Sequence, residues 1–284
     1  MSGSDAEAPR LLVVSSYFDT HRGGLEIVAG KLARHLSQCG FSVDWLATSA
    51  TEAPRDSAVQ SLPIKAWNVT ERRLGIPFPL PGLGGLARLG RAVRAADAVL
   101  LHDSLYPLSV ATTLAALANR KPLVICQHIG QVPYHQPLLR FLMVAANRLV
   151  ARPVLARADQ VVFISSFVRD FFAKVRFRRP PELIFNGVDT EVFAPGDRLA
   201  ARQALDLPQD AKVALFVGRF VEKKGLHLLH EMAKRRPEII WAFAGWGHID
   251  PAHWGLANVR VLQGLSGASL ADAYRAADVF ILPS

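Results

Sequence analysis

The chain has 284 residues and is half hydrophobic, so it can bury one large core or two ordinary ones. Its two cysteines, Cys39 and Cys126, form no CxxC pair, which argues against a disulfide framework or a zinc site and favours a reducing cytoplasm. Residues 1–9 are polar and acidic, unlike a secretory signal, and no apolar run reaches the roughly 20 residues that cross a membrane.

Short β-branched runs alternate with amphipathic helical patterns along almost the whole chain, which predicts an α/β fold with parallel sheets. The clearest helix follows Gly24 and ends at Gly40. Residues 51–85 are rich in proline and glycine and are predicted to be irregular, apart from a strand candidate at 59–67. The other predicted strands are residues 11–18, 41–48, 98–102, 123–128, 160–165, 183–185, 213–217, 239–244, 259–262 and 279–282.

Residues 186–197 separate two groups of strand and helix units, because they contain turn formers and little periodicity. We therefore predict a first domain at residues 1–188 and a second at residues 189–284. The first has enough strands for a complete doubly wound sheet. The second supplies about four strands and stops on one of them, so we expect an incomplete sheet with an exposed apolar edge.

In open α/β sheets ligands bind beyond the carboxyl ends of the strands, so the loops there are the candidate sites. The first such loop ends in Gly23 and Gly24, just before a helix. Paired glycines at a helix start let the backbone amides approach a phosphate, although the same pair is also common in an ordinary tight turn.

The second domain places Arg219 and Lys224 on the loop that leaves the strand at 213–217, next to Gly225. Two cations beside a helix N-terminus can neutralise a diphosphate by charge-assisted hydrogen bonds, without a metal ion. The alternative is an ordinary loop with solvent-facing charges.

These two motifs, GRxxxxKG at residues 218–225 and GGxE at 23–26, resemble those of the retaining family-4 glycosyltransferases. Further matches follow in order: an NGVD turn at 186–189, AGWG at 244–247, a pattern that ends at Gly264, and ADVFILPS at 277–284. The resemblance covers nearly the whole chain and implies the GT-B fold, which consists of two Rossmann-like domains.

The resemblance implies a nucleotide-sugar donor bound mainly by the second domain and a lipid, glycan or metabolite acceptor bound by the first. It implies no cofactor and no metal ion. By motif matching, the donor diphosphate is bound by Arg219 and Lys224, with the amides of Gly23 and Gly24 reaching it from the other domain. The nucleotide is approached by Gly245, Gly247, Gln263, Gly264 and Leu265.

Histidine and aspartate residues follow two strands of the first domain. The resemblance places His128 beside the transferred sugar, where it would hydrogen-bond a hydroxyl or steady charge at the reacting centre. The alternative is a satisfied core histidine. His102 and Asp103 occupy a similar strand end and are candidates for sugar or acceptor binding, with a structural role as an equal alternative.

The family pattern continues beyond Ser284 with a glycine-containing loop and two glutamates that contact the donor, and neither is present in this sequence. We therefore expect a truncated chain with little or no turnover, and a non-catalytic nucleotide-sugar-binding remnant is the main alternative. A Rossmann dehydrogenase is disfavoured because no GxGxxG follows the first strand. Nucleic-acid binding lacks any recognised motif.

The net charge of +9 is concentrated in residues 140–179, which Arg140 opens and Arg179 closes. This segment holds nine basic residues and only two acidic ones. We predict peripheral contact with an anionic membrane there, at its inner face, because Arg148 and Arg152 join Arg140 on one side of an otherwise apolar helix. A solvated basic face is the alternative.

Overall fold

A computed structural model describes residues 8–21, 23–49, 52–68, 78–130 and 136–283. The chain forms two compact units, Met1–Asn186 and Gly187–Ser284, so it divides two residues before the boundary that the sequence predicts. Thr51 and residues 69–77 of the segment predicted to be irregular, and Ser284 of the last motif, lie outside the described residues.

The first unit contains one sheet of seven strands, in which all neighbours are parallel, in the order β3-β2-β1-β6-β7-β8-β9. A separate antiparallel pair is formed by β4 and β5. The strands are β1 (Arg10–Val14), β2 (Ser42–Thr48), β3 (Gln60–Ile64), β4 (Ala66–Trp67), β5 (Leu80–Pro81), β6 (Ala98–His102), β7 (Leu123–Gln127), β8 (Gln160–Phe163) and β9 (Glu182–Leu183).

Helices cover both faces of this sheet. They are α1 (Gly24–Gln38), α2 (Leu83–Ala95), α3 (Pro107–Ala118), α4 (Pro137–Ala146), α5 (Arg152–Arg157) and α6 (Ser166–Phe171), with a π-helical segment at Asn147–Ala151 and a short 3-10 turn at Asp19–His21. Side chains alternate across the strands, so Leu12 and Val14 enter the core on one face while Val13 enters the core on the other. The strand order reverses between β1 and β6, and this reversal is the switch point at which such folds bind ligands.

The second unit has a parallel sheet of four strands in the order β12-β11-β10-β13. Its strands are β10 (Lys212–Phe220), β11 (Ile239–Gly247), β12 (Val259–Leu262) and β13 (Val279–Phe280), and its helices are α7 (Arg198–Ala204), α8 (Leu226–Arg235) and α9 (Gly267–Ala276). Short 3-10 turns occur at Glu222–Lys224 and Pro251–Trp254. Like β1 in the first sheet, β10 has the next two strands of the chain on one side and a later strand on the other. The switch point of this sheet therefore lies between β10 and β13.

Strands β10 and β11 are longer than the sequence predicts, because they stay paired as far as Phe220 and Gly247. Glycine makes this extension possible: a Cβ atom at Gly245 would overlap the carbonyl oxygen of Gly218, and one at Gly247 would overlap that of Phe220. Conversely, β1 and β13 are shorter than predicted. At the β13 edge, the apolar side chains of Val279 and Phe280 are 51% and 44% exposed.

The helix predicted to carry Arg140, Arg148 and Arg152 is divided into α4, the π-helical segment and α5. Asn147, at the start of the π-helical segment, is buried, and its side-chain amide donates to the carbonyl oxygen of Met143. In the part of the chain that the structure describes, every helix is too short or too polar to span a bilayer.

Candidate functional site

A group of buried polar side chains lies at the carboxyl ends of β1, β6 and β7, beside the switch point of the first unit. Burying a polar atom without a hydrogen bond is costly, so such groups usually have a partner in the folded protein or in a ligand. Within the described residues, five buried atoms here lack a hydrogen-bond partner: Ser16 Oγ, His102 Nε2, Asp103 Oδ2, Ser104 Oγ and Gln127 Oε1. This concentration of unsatisfied donors and acceptors marks a candidate binding site.

His102 and His128 form a direct pair in this group, with 2.9 Å between His102 Nδ1 and His128 Nε2. Burial lowers the pKa of His102 to about 3, helped by the charge of His128, and burial lowers the pKa of His128 to about 4. Both imidazoles are therefore neutral near pH 7. Because His102 Nε2 is buried without a partner among the described residues, its single hydrogen is better placed on Nδ1, where it donates to His128 Nε2. That arrangement leaves a hydrogen on His128 Nδ1.

Asp103 fixes the backbone that carries His128. Its Oδ1 accepts hydrogen bonds from the backbone N–H groups of His128, at 2.8 Å, and Ile129, at 3.1 Å. Burial, and to a smaller extent the negative charge of Glu26, raises the pKa of Asp103 to about 7, although the two backbone hydrogen bonds act in the opposite direction. Asp103 also adopts a left-handed backbone conformation, with φ 62°, which a non-glycine residue rarely adopts outside functional or tightly constrained sites.

The start of α1 is occupied by a carboxylate of the protein itself. Glu26, in the first turn, is 7% exposed, and a Cβ atom at Gly23 would overlap its Oε2. Gly24 has open space around it. A side chain at position 23 would displace the carboxylate of Glu26, whose negative charge interacts with the positive end of the helix dipole. Glu26 is the last residue of the GGxE motif and was not among the predicted site residues.

One cluster in the described residues has the composition of a metal site: His102, Cys126 and His128 offer ligand atoms that lie within 4.8 Å of one another. Burial, with a contribution from Asp103, raises the pKa of the Cys126 thiol to about 12. A protonated thiol is a poor ligand, because metals bind the thiolate. A metal ion bound here would have to displace the thiol proton and the hydrogen bond between His102 and His128, and in this structure the two histidines form a hydrogen-bonded pair.

The switch point of the second unit carries positive charge. The guanidinium of Arg219 lies 5.1 Å from the ring centroid of Trp246, its cross-strand neighbour. Partial burial and the charges of Arg219 and Lys224 lower the pKa of Lys223, so the three cations influence one another. Lys223 and Lys224 belong to the 3-10 turn that leads into α8. This geometry suits an anion with more than one negative charge.

Gly225, at the N-terminus of α8, holds two loops of this unit close together. It adopts a left-handed conformation with φ 72°, and a Cβ atom there would lie 2.6 Å from the carbonyl oxygen of Pro283. The loops that follow β10 and β13 therefore meet beside the cationic group.

The remaining predicted nucleotide-proximal residues divide into two kinds. Gln263 and Gly264 are exposed after the end of β12, and Gly264 has a left-handed conformation with φ 71°. Leu265 is packed against the core of the second unit instead. Gly245 and Gly247 have the structural role described above, which is to let β11 pair with β10.

Comparison with known proteins identifies the family. The model described as Glycosyltransferase Family 4 matches residues 22–192, and the model described as Glycosyl transferases group 1 matches residues 197–284. The chain belongs to glycosyltransferase family 4.

Relatives of this family-4 chain include two proteins named D-inositol 3-phosphate glycosyltransferase. The one from Kribbella flavida is 30% identical, over 92% of this chain and 69% of its own length. The one from Mycobacteroides abscessus is 28% identical, over 92% of this chain and 64% of its own length. The chain thus spans about two thirds of the length of these relatives.

Solved structures similar to the family-4 chain show the same fold. A sucrose-phosphate synthase from Thermosynechococcus elongatus matches with a TM-score of 0.71 and 18% identity, over 97% of this chain and 75% of that structure. Anabaena HepE, in a complex with UDP and glucose, matches with a TM-score of 0.67 and 17% identity, over 96% of this chain and 74% of that structure. The predicted GT-B fold class is confirmed, whereas the predicted roles of individual residues stay predictions.

Sequence reasoning missed three residues of the family-4 chain that lie near the two candidate binding groups: Glu26, Lys223 and Trp246. Glu26 and Lys223 belong to recognised motifs: Glu26 is two positions after Gly24, and Lys223 is next to Lys224. Trp246 is the variable residue of AGWG, and its position opposite Arg219 follows only from the register of β10 and β11.

Proposed function

We propose that the protein transfers a sugar from a nucleoside-diphosphate sugar to an acceptor hydroxyl, with retention of anomeric configuration. The observation that supports this most directly is the group of Arg219, Lys223 and Lys224 beside the N-terminus of α8. Retention is proposed because the sequence resembles the retaining family-4 enzymes.

The charge balance of this group suits a diphosphate. With Glu222 included, residues 219–224 have a net charge of +2, which complements the negative charge of a nucleoside diphosphate. As the sugar–phosphate bond breaks, negative charge grows on the leaving diphosphate, and cations fixed beside it stabilise that charge. Side chains would supply the positive charge that a metal ion supplies elsewhere, so we propose a metal-independent reaction.

In the first unit, His128 and the buried polar side chains around it are proposed to form a site for sugar hydroxyls. His128 is partly exposed, and its neutral imidazole, with a hydrogen on Nδ1, can donate to a hydroxyl oxygen. Asp103 would act through the backbone that carries His128. It is therefore a positioning residue.

The proposed acceptor is a carbohydrate, a phosphorylated cyclitol or a lipid-linked sugar. The names of the relatives specify D-inositol 3-phosphate, which is the first acceptor to test. A lipid-linked acceptor is the second, because of the basic segment at residues 140–179.

Titration calorimetry with a panel of nucleoside-diphosphate sugars in the presence of EDTA tests the donor site. Arg219→Ala and Lys224→Ala should each weaken binding by tenfold or more, because a hydrogen bond to a charged group contributes roughly 1.5–3 kcal/mol. Arg235→Ala, an equal charge change on an exposed residue of α8, is the matched control and should bind like the parent chain. Unchanged affinity in both site variants would contradict the proposal.

A further inference from the structure

Helix α4 differs from the other helices that the structure describes in the first unit, because none of its residues is buried. Apolar side chains normally line the face of a helix that packs on the core. Here the large apolar residues are exposed: Leu138 by 68%, Phe141 by 68%, Leu142 by 51% and Val144 by 53%. Leu149, in the π-helical segment that follows, is 72% exposed.

Three of the exposed apolar residues of α4 are neighbours on one face of the helix. Leu138, Phe141 and Leu142 are spaced i, i+3, i+4, which places them on one face of α4. The helical stretch is held at its other end, where Val154 and Leu155 of α5 are buried in the core. The apolar face is therefore presented to the outside by a helix that is firmly attached at one end. We call it the α4 face.

Positive charge accompanies the α4 face. Arg140 and Arg148 are exposed within the same helical stretch, and residues 140–179 carry nine basic residues against two acidic ones. Both acidic residues are already paired, Asp159 with Arg178 and Asp170 with Arg169. Among the ion pairs of the described residues, none involves Arg140 or Arg148, so their charges remain available to an anionic partner.

We propose that the α4 face docks the protein on an anionic membrane surface, with α4 lying in the plane of the interface. By the same helical spacing Arg140 lies on the opposite side of α4 from Leu138, Phe141 and Leu142, and an apolar face opposite arginines is the composition of helices that insert shallowly at the headgroup level. At 1.5 Å per residue, the ten residues of α4 extend about 15 Å, half of a hydrocarbon core, so the helix can lie on a bilayer but cannot cross it. Each arginine near the surface is attracted by the negative lipid charge.

This inference goes beyond the proposed transfer reaction and does not depend on it, because the α4 face contains none of the residues proposed to bind the donor. A second copy of the chain is the main competing occupant, since an exposed apolar face can also bury itself in a dimer. The charge of the segment favours the membrane, because two copies would bring like charges together.

Flotation of the full chain with lipid vesicles tests the proposal. Vesicles of phosphatidylcholine with phosphatidylglycerol should carry the protein at least tenfold more efficiently than vesicles of phosphatidylcholine alone, and added salt should release it. Phe141→Ser with Leu142→Ser should reduce binding to anionic vesicles at least tenfold. Arg140→Glu with Arg148→Glu should abolish the preference for anionic vesicles.

The matched control lies on α8 of the second unit, which is also ten residues long. Leu228→Ser with Arg235→Glu removes an exposed leucine and reverses an exposed arginine, and it should leave flotation unchanged. Circular dichroism establishes that every variant is folded. Nucleotide-sugar affinity, measured on the same α4 variants, should equal that of the parent chain, so failure of membrane binding and failure of donor binding are distinguishable.

Three outcomes would overturn the proposal. The first is no flotation with either type of vesicle, and the second is equal flotation with both. The third is a dimer in analytical ultracentrifugation that the Phe141→Ser, Leu142→Ser variant dissociates, because it would identify a second copy as the occupant of the α4 face.

Discussion

In the first unit the strand ends at the switch point carry buried, neutral groups, whereas in the second unit they carry exposed cations. His102 and Asp103 are 0% and 1% exposed, and burial shifts their pKa values toward the uncharged forms. Arg219 and Lys223 are exposed at the equivalent edge of the other sheet. Both sheets have the same strand order around this point.

The comparison teaches that topology determines where a site forms, while the local residues determine its chemistry. A buried neutral group binds by directional hydrogen bonds and discriminates among hydroxyls. An exposed cationic group attracts a multiply charged anion from a distance and binds it with little directionality. One strand order therefore carries two groups of contrasting chemistry, as the two proposed binding roles require.

The largest expected effect comes from separating β10 from β11 next to the cationic group. Gly247→Ala places a methyl group against the carbonyl oxygen of Phe220, so we expect β11 to separate from β10 and the second unit to lose about 3 kcal/mol of stability. Urea unfolding followed by hydrogen exchange of β10 and β11 measures the loss. Gly187→Ala, where the added methyl group meets nothing within 4 Å, is the control and should change stability by less than about 0.5 kcal/mol. Equal stability of the two variants would show that the strand ends tolerate separation.

A smaller effect is expected from pH, and it should distinguish the two units. Between about pH 6 and pH 5, unfolding lets His102 and His128 bind protons, because their pKa values rise from about 3 and about 4 to the usual value. Asp103 releases a proton, because its pKa falls from about 7. The net uptake of about one proton lowers the free energy of unfolding of the first unit by about 1.4 kcal/mol per pH unit of acidification.

Asp103→Asn sharpens this prediction, because Asp103 can then no longer release a proton on unfolding and so no longer offsets the proton uptake by the two histidines. The loss on acidification should then roughly double, to about 2.7 kcal/mol per pH unit. Urea titrations at several pH values, followed by hydrogen exchange of β6 and β7, measure the slope. Asp170→Asn, at an exposed position of the same unit, should leave the slope unchanged. A parent slope of zero would mean that one of the two imidazoles is charged in the folded protein, and a slope of opposite sign would mean that both are.

The smallest expected effect concerns Trp246, which holds the Arg219 guanidinium near its ring. A cation–π contact at such an exposed site contributes about 0.5–1 kcal/mol, so Trp246→Leu should weaken nucleotide-sugar binding by roughly two- to fivefold. Calorimetry measures the change, and Trp67→Leu, at an exposed tryptophan of the first unit, serves as the control. Affinity equal to that of the parent chain would show that Arg219 needs no support from the ring.

Sequence reasoning predicted the α/β class and the glycosyltransferase family, because both depend on patterns that are local in the chain. It also named His102, Asp103 and His128 as candidate site residues, since ligands bind beyond the carboxyl ends of strands in such sheets. It did not predict the hydrogen bond between the two imidazoles, which depends on side-chain direction and on the pairing of His102 with Cys126.

The lengths of β10 and β11 were predicted wrongly for a physical reason. The predicted strands end at Val217 and Ala244, each followed by a glycine, and glycine disfavours strands in general. In this sheet the same glycines allow two backbones to approach closely, which prolongs the pairing. The division of the predicted helix at Asn147 was missed in the same way, because the side-chain bond to Met143 has no signature in the pattern of apolar residues.

The close approach of Gly225 to Pro283 makes these two positions dependent on each other. A library that randomises position 225 alone should return glycine almost exclusively, since any larger residue meets the carbonyl of Pro283. If position 283 and its neighbours are randomised at the same time, accepted replacements at the two sites should occur as matched sets. Changes to the proposed donor site in the loop after β10 therefore have to treat residues nearly 60 positions apart as a single unit of variation.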